Sequence, residues 1–80
     1  MNSRDTHRYV LREGREIVQF GITNAPVDRA EEHLRDRKRF TTMIVVGPAV
    51  TRDSALDWER ERIETYQGTH GGKRPRYNKV

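Results

Sequence analysis

Apolar residues are sparse along this chain, and their spacing changes from segment to segment. Tyr9-Val10-Leu11-Arg12 and Ile17-Val18-Gln19-Phe20 are short β-prone runs on either side of Glu13-Gly14. That arrangement predicts a β-hairpin over residues 8–21. Gly21 and the Thr23-Asn24-Ala25-Pro26 stretch break it. Pro26 suits the first position of a helix, where its missing N–H costs nothing. That helix runs to about Arg37 with Val27, Ala30 and Leu34 as one narrow apolar stripe.

Phe40 to Val46 is β-branched and apolar on both faces, which predicts a central strand covered on two sides and ended by Gly47-Pro48. Thr51 or Asp53 can cap a second helix, from about Arg52 to Tyr66, which Gly68 and Gly71-Gly72 stop. The first seven residues are polar and read as frayed. The order β-β-α-β-α plus a basic C-terminal segment predicts a small α+β domain. Its three-stranded antiparallel sheet is flanked by helices, and residues 1–80 form one unit.

The hairpin register depends on its loop. A three-residue loop, Glu13-Gly14-Arg15, pairs Tyr9 with Gln19. It puts Tyr9, Leu11, Ile17 and Gln19 on one face and Val10, Val18 and Phe20 on the other. A two-residue loop, Glu13-Gly14, puts Gln19 on the face away from Tyr9. The three-residue loop is the preferred reading.

Composition narrows the field. The chain has 16 Lys and Arg against 12 Asp and Glu, no Cys, and 32% hydrophobic residues. No disulfide framework or thiolate metal site can form. The longest apolar run, Met43-Ile44-Val45-Val46, is far too short to span a bilayer, and Met1–Arg8 carries both charge signs, unlike a signal peptide. The expectation is a cytoplasmic protein with no membrane partner. After Glu64 there is no acidic residue, and the tail cations Lys73, Arg74, Arg76 and Lys79 account for the whole net charge of +4.

Two helical positions interrupt the apolar pattern. In the second helix the stripe Leu56, 59, Ile63, Tyr66 holds Glu59. A carboxylate there costs free energy unless it is paired, snorkels to water or meets a metal. It is either an ordinary edge residue or a site carboxylate. In the first helix Arg29 and His33 are four apart and share a face beside the stripe. They read either as surface charge paired with Glu32 or Asp36, or as part of a site. Trp58 reads as core packing on the flank of the second helix, or as a contact for a protein partner.

These residues together resemble the GIY-YIG nucleases. Gly21-Ile22-Thr23-Asn24, Pro26, Arg29 and Glu32-His33 are similar to that family's strand-to-helix signature, and Pro75-Arg76-Tyr77-Asn78 is similar to its closing segment. Glu59 stands four before Ile63, as the family's metal-binding Glu precedes a core Ile. The hairpin departs from the pattern. The first tyrosine motif is His7-Arg8-Tyr9, which keeps its Tyr, and the second is Gln19-Phe20-Gly21, in which Gln19 replaces a Tyr.

The resemblance implies a metal-dependent endonuclease that hydrolyses phosphodiester bonds in DNA, in repair or in a mobile element. Glu59 would hold one Mg²⁺ or Mn²⁺ with waters and phosphate oxygens. Arg29 would grip the scissile phosphate with its planar fork. Tyr9 would act on the attacking water as general base, with Arg29 or the metal lowering its pKa. His33 would relay the proton. Asn78 would position the substrate or the sheet edge. Gln19, Lys73, Arg74 and Arg76 would contact substrate, with a homodimer or an accessory DNA-binding protein supplying specificity. The alternatives are a catalytically impaired nucleic-acid binder of the same fold, and a structural or protein-interaction domain.

Overall fold

The computed structural model describes residues 3–78, in the order β1 (Thr6–Glu13), β2 (Glu16–Thr23), α1 (Pro26–Arg35), β3 (Thr42–Val50) and α2 (Arg52–Thr69). This is the α+β architecture expected, a three-stranded antiparallel sheet with two helices. Pro26 opens α1, and the Thr51 hydroxyl caps α2 by accepting from the Ser54 N–H at 3.2 Å. Thr6 and His7 belong to β1, and Thr6 is buried, so the strand starts earlier than its polar sequence suggests.

The sheet order is β2-β1-β3, which makes β1 the central strand and β3 an edge. The apolar run of β3 is therefore not covered on both sides, and Ile44 and Val45 are each about 40% exposed. Gly47-Pro48 does not end β3. The pairing shifts from Arg8↔Val46 to Thr6↔Val50, so the strand bulges at these residues and resumes. Gly47 supplies the left-handed φ of 64°, and a proline that cannot donate is tolerated at such a bulge on an edge.

The hairpin closes with Gly14-Arg15 between Glu13 and Glu16, a two-residue loop in which Gly14 takes φ 61°. Neither loop expected from the sequence forms. The register then shifts between Leu11 and Arg12: Arg12 faces Ile17, Leu11 faces Gln19, and Tyr9 faces Gly21. Val18 is the extra residue. This bulge returns Gln19 to the Tyr9 face by a route other than a longer loop. It also exchanges its neighbours. Val18 packs with Tyr9 and Leu11 in the core, whereas Ile17 lines the opposite face with Val10 and Phe20.

Leu11 and Val18 are wholly buried, each worth about 1.5–3 kcal/mol of transfer free energy, with Phe40, Met43 and Tyr77 packed around them. On the other face α2 lays Trp58 and Tyr66 edge-on against Phe20, at 5.9 and 6.4 Å between ring centroids. The buried stripe of α2 is rotated from the expected one. Ala55 is fully buried, Trp58 is half-buried, and Leu56 is 41% exposed.

α1 is turned further. Val27 and Leu34 are 72% and 62% exposed, while His33 is 3% exposed. The helix rests on its His33 face instead of its apolar stripe, because Tyr9 offers a buried hydrogen-bond partner that an aliphatic side chain could not use. Among the described residues no helix is long and apolar enough to cross a membrane.

Candidate functional site

The centre of the site is the Tyr9 hydroxyl. Strand β1 points Tyr9 to the α1 side of the sheet, and Gly21 opposite leaves room for the ring. Tyr9 is 2% exposed, and its Oη lies 2.8 Å from His33 Nε2. The two rings are tilted at 51°, with centroids 5.6 Å apart. The Gln19 Nε2 amide donates to the same Oη at 3.4 Å. The sequence placed Gln19 beside Tyr9, and it is there, on the diagonal instead of directly opposite.

Burial pushes the Tyr9 hydroxyl up to about 12; the Arg29 charge pulls it down, and Glu59 and Glu32 push it further up. Of the two charges expected to lower it, Arg29 or a metal, Arg29 acts in that direction but does not by itself bring the phenol below its ordinary value. Desolvation of a nearly enclosed ring outweighs one cation that is itself 43% exposed and shared with Glu32, at 3.2 Å. Arg29 thus has the surface pairing with Glu32, and its charge also reaches the Tyr9 hydroxyl.

Burial also lowers the His33 pKa, and the Lys38 and Arg29 charges lower it further, so the imidazole is neutral at pH 7. Lys38 comes to it through the end of α1. Arg37 adopts φ 60°, the Arg37 N–H bonds to Leu34 O at 3.0 Å, and the Lys38 N–H bonds to His33 O at 3.2 Å. This is a Schellman ending with Arg where glycine is usual. It folds the chain back so that Lys38 Nζ stands 3.0 Å from His33 Nδ1 and 3.0 Å from Gln19 Oε1, over the Tyr77 ring at 5.4 Å.

Glu59 is half-buried on α2. Burial raises its pKa, opposed by the Arg52 charge. It acts on the Tyr9 hydroxyl, so α2 brings its one partly desolvated carboxylate into the field of the same group that Arg29 serves. Arg29 and Arg52 both line a polar cleft of about 310 Å³, with Asp5, Thr23 and Asn24. The described residues hold no cluster of three or more His, Asp or Glu side chains able to enclose a metal.

Asn78 uses its amide on the sheet edge. Its Oδ1 accepts from the Phe20 N–H at 2.7 Å, and its Nδ2 donates to Phe20 O at 2.8 Å. Of the two roles expected for it, the chain shows the edge-positioning one. The Tyr77 N–H bonds to Val18 O at 2.8 Å, so the closing segment pairs with β2 and the Tyr77 ring is held beneath Lys38. Pro75 is buried in the same segment.

The tail is less free than its charge suggests. Arg76 pairs with Glu13 at 3.4 Å and Glu16 at 3.2 Å, so in the free protein it clamps the hairpin end, and a phosphate there would compete with two carboxylates. Lys73 and Arg74 are exposed, and Lys79 lies outside the described residues. Two residues were not singled out in the sequence. Arg52 is one of many arginines in the sequence and carries no motif. Lys38 follows a helix end and carries no motif; only the chain reversal at Arg37 reveals it.

Comparison of the chain with protein families, curated proteins and solved structures found no match.

Proposed function

We propose that the chain is a metal-dependent endonuclease of the GIY-YIG type, hydrolysing phosphodiester bonds in DNA. The observation that carries this reading is the buried Tyr9 Oη–His33 Nε2 contact, with Arg29 and Glu59 acting on the same hydroxyl from two different helices. The inward turn of His33, with Val27 and Leu34 left outside, supports this reading by placing a polar pair where an aliphatic core would otherwise sit.

Arg29 binds the scissile phosphate, and Arg52 across the polar cleft binds a neighbouring one; both present planar donor forks to non-bridging oxygens. Tyr9 Oη takes the proton of the attacking water as the water oxygen bonds to phosphorus and the bond to the leaving oxygen breaks. At a pKa of about 12, only about one Tyr9 in 10⁵ is ionised at pH 7, so the base form depends on cations brought by the loaded site.

Glu59 fits a divalent ion. It is a partly desolvated carboxylate, and a hard cation with water ligands suits a single oxygen donor of this kind. Bound there, Mg²⁺ or Mn²⁺ would supply positive charge at the leaving oxygen and reverse the carboxylate's upward push on Tyr9.

A second reading, a nucleic-acid binder that does not cut, is favoured by one observation: the high Tyr9 pKa together with Gln19, which cannot ionise. Supercoiled plasmid incubated with the protein and Mg²⁺ or Mn²⁺ at low salt decides between them. Nicking or linearisation that disappears in Glu59→Ala supports cleavage. Retarded mobility with intact plasmid supports binding alone, and neither effect rejects both.

A further inference from the structure

We propose that Lys38 is a positioning residue whose ammonium holds His33 as the Nε2–H tautomer, so that His33 and Gln19 both donate to the Tyr9 oxygen. The tautomer follows from the geometry of the free protein. Its catalytic consequence rests on the nuclease reading above.

Lys38 Nζ contacts His33 Nδ1, which donates or accepts according to the tautomer, and the Gln19 amide end occupied by Oε1, where the NH₂ could otherwise sit; both are at 3.0 Å. An ammonium has three donors and no acceptor. Nδ1 must therefore accept. A neutral imidazole carries one proton, which is then on Nε2, the nitrogen 2.8 Å from Tyr9 Oη. The same logic orients the Gln19 amide. Its oxygen accepts from Lys38, which leaves its NH₂ facing Tyr9 at 3.4 Å. A single cation thus sets the direction of both hydrogen bonds that arrive at the tyrosine.

Protonated His33 would place Nδ1–H against the ammonium, donor against donor, consistent with the lowered imidazole pKa. The Lys38 position is itself built in. The Schellman turn at Arg37 returns it to the last turn of α1, and the Tyr77 face lies beneath it.

Two consequences follow for Tyr9. Its own proton must point away from both donors, because its oxygen accepts from each. Once that proton is lost, two N–H groups favour the phenolate, opposing burial, and one lone pair remains for the attacking water. His33 in this tautomer has no lone pair on Nε2, so it cannot take a proton from Tyr9. The relay expected of it becomes donation to the oxygen.

The test is the long-range ¹H–¹⁵N spectrum of the histidine side chains in the full chain, with His33 assigned through His33→Gln. In the native protein His33 shows a pyrrole-type Nε2 and a pyridine-type Nδ1. Lys38→Arg, also donor-only, keeps that pattern, and Lys38→Met shifts it toward Nδ1–H. A native protein with Nδ1 protonated overturns the proposal with no variant needed, as does a Lys38→Met spectrum identical to native. In plasmid cleavage, Lys38→Met lowers kcat about 10–100-fold with KM within about twofold, and Lys38→Arg restores much of it. A changed tautomer with unchanged kcat overturns the positioning role. Absence of cleavage by the native protein overturns the nuclease reading and leaves the tautomer result standing.

Discussion

Tyr9 and Gly21 face each other across β1 and β2, and the Tyr9 ring occupies the space that a Cβ on residue 21 would need. Gly21 is present for room, not for turn geometry. Gly21→Ala is expected to destabilise the fold by about 1–3 kcal/mol through overpacking and to push Tyr9 away from His33. Urea denaturation measures the first effect and the His33 ring resonances report the second. Unchanged stability with an unmoved His33 would reject this packing.

Arg37 sits at φ 60°, where an L side chain is strained. Arg37→Gly should stabilise the chain by about 0.5–1 kcal/mol while leaving the Lys38–His33 contact in place. Thermal or urea unfolding checks the sign.

Glu59 is expected to cost stability and to be required for cleavage. Its folded pKa is raised, so the carboxyl favours folding below the ordinary value near 4.5, and that favour is lost as pH rises through the folded value. Glu59→Gln should therefore be at least as stable as the native chain at pH 7, with the gap narrowing in acid. Its cleavage rate should fall about 100-fold or more. A variant that loses activity and stability together would mean Glu59 is structural.

His33 has the opposite sign. Its folded pKa lies below the ordinary value of 6.5, so its contribution is fully present above about pH 6.5 and is lost as pH falls toward the folded value. Lys38 and Arg29 oppose protonation, while Asp36 and Glu32 favour it. Stability measured from about pH 8 to 5 should decline below about 6.5, and His33→Gln should flatten that decline.

Asn78 should behave as a strand clamp. Asn78→Ala leaves the Phe20 N–H and C=O without their partners and should cost about 1–3 kcal/mol. Any loss of cleavage should track the loss of folded protein. A large kcat defect at full stability would assign Asn78 to substrate instead.

Element order and type were legible because Gly14, Pro26 and Thr51 punctuate the chain with local physics. The strand order was not. An apolar run on both faces reads as central, yet β3 is an edge, and nothing local says which strand lies in the middle. The Val18 bulge was hidden for the same reason: alternation counts residues, and one unpaired residue inverts it. In the site, Gln19 stands beside Tyr9 as the strand pattern suggested, and His33 as the family resemblance implied. The net direction of the Tyr9 pKa was not legible, because the sequence shows the neighbouring charges but not the depth of burial, which in the free protein exceeds them. Lys38 was invisible, since its place depends on a left-handed arginine.

The exposed Val27 and Leu34 leave α1 with little apolar anchorage, so the helix is fastened to the sheet largely through His33. A fluctuation that breaks the Tyr9–His33 contact and one that releases α1 are then the same event. Amide exchange along α1 should report opening of the site, and a ligand that tightens the polar centre should slow exchange through the whole helix.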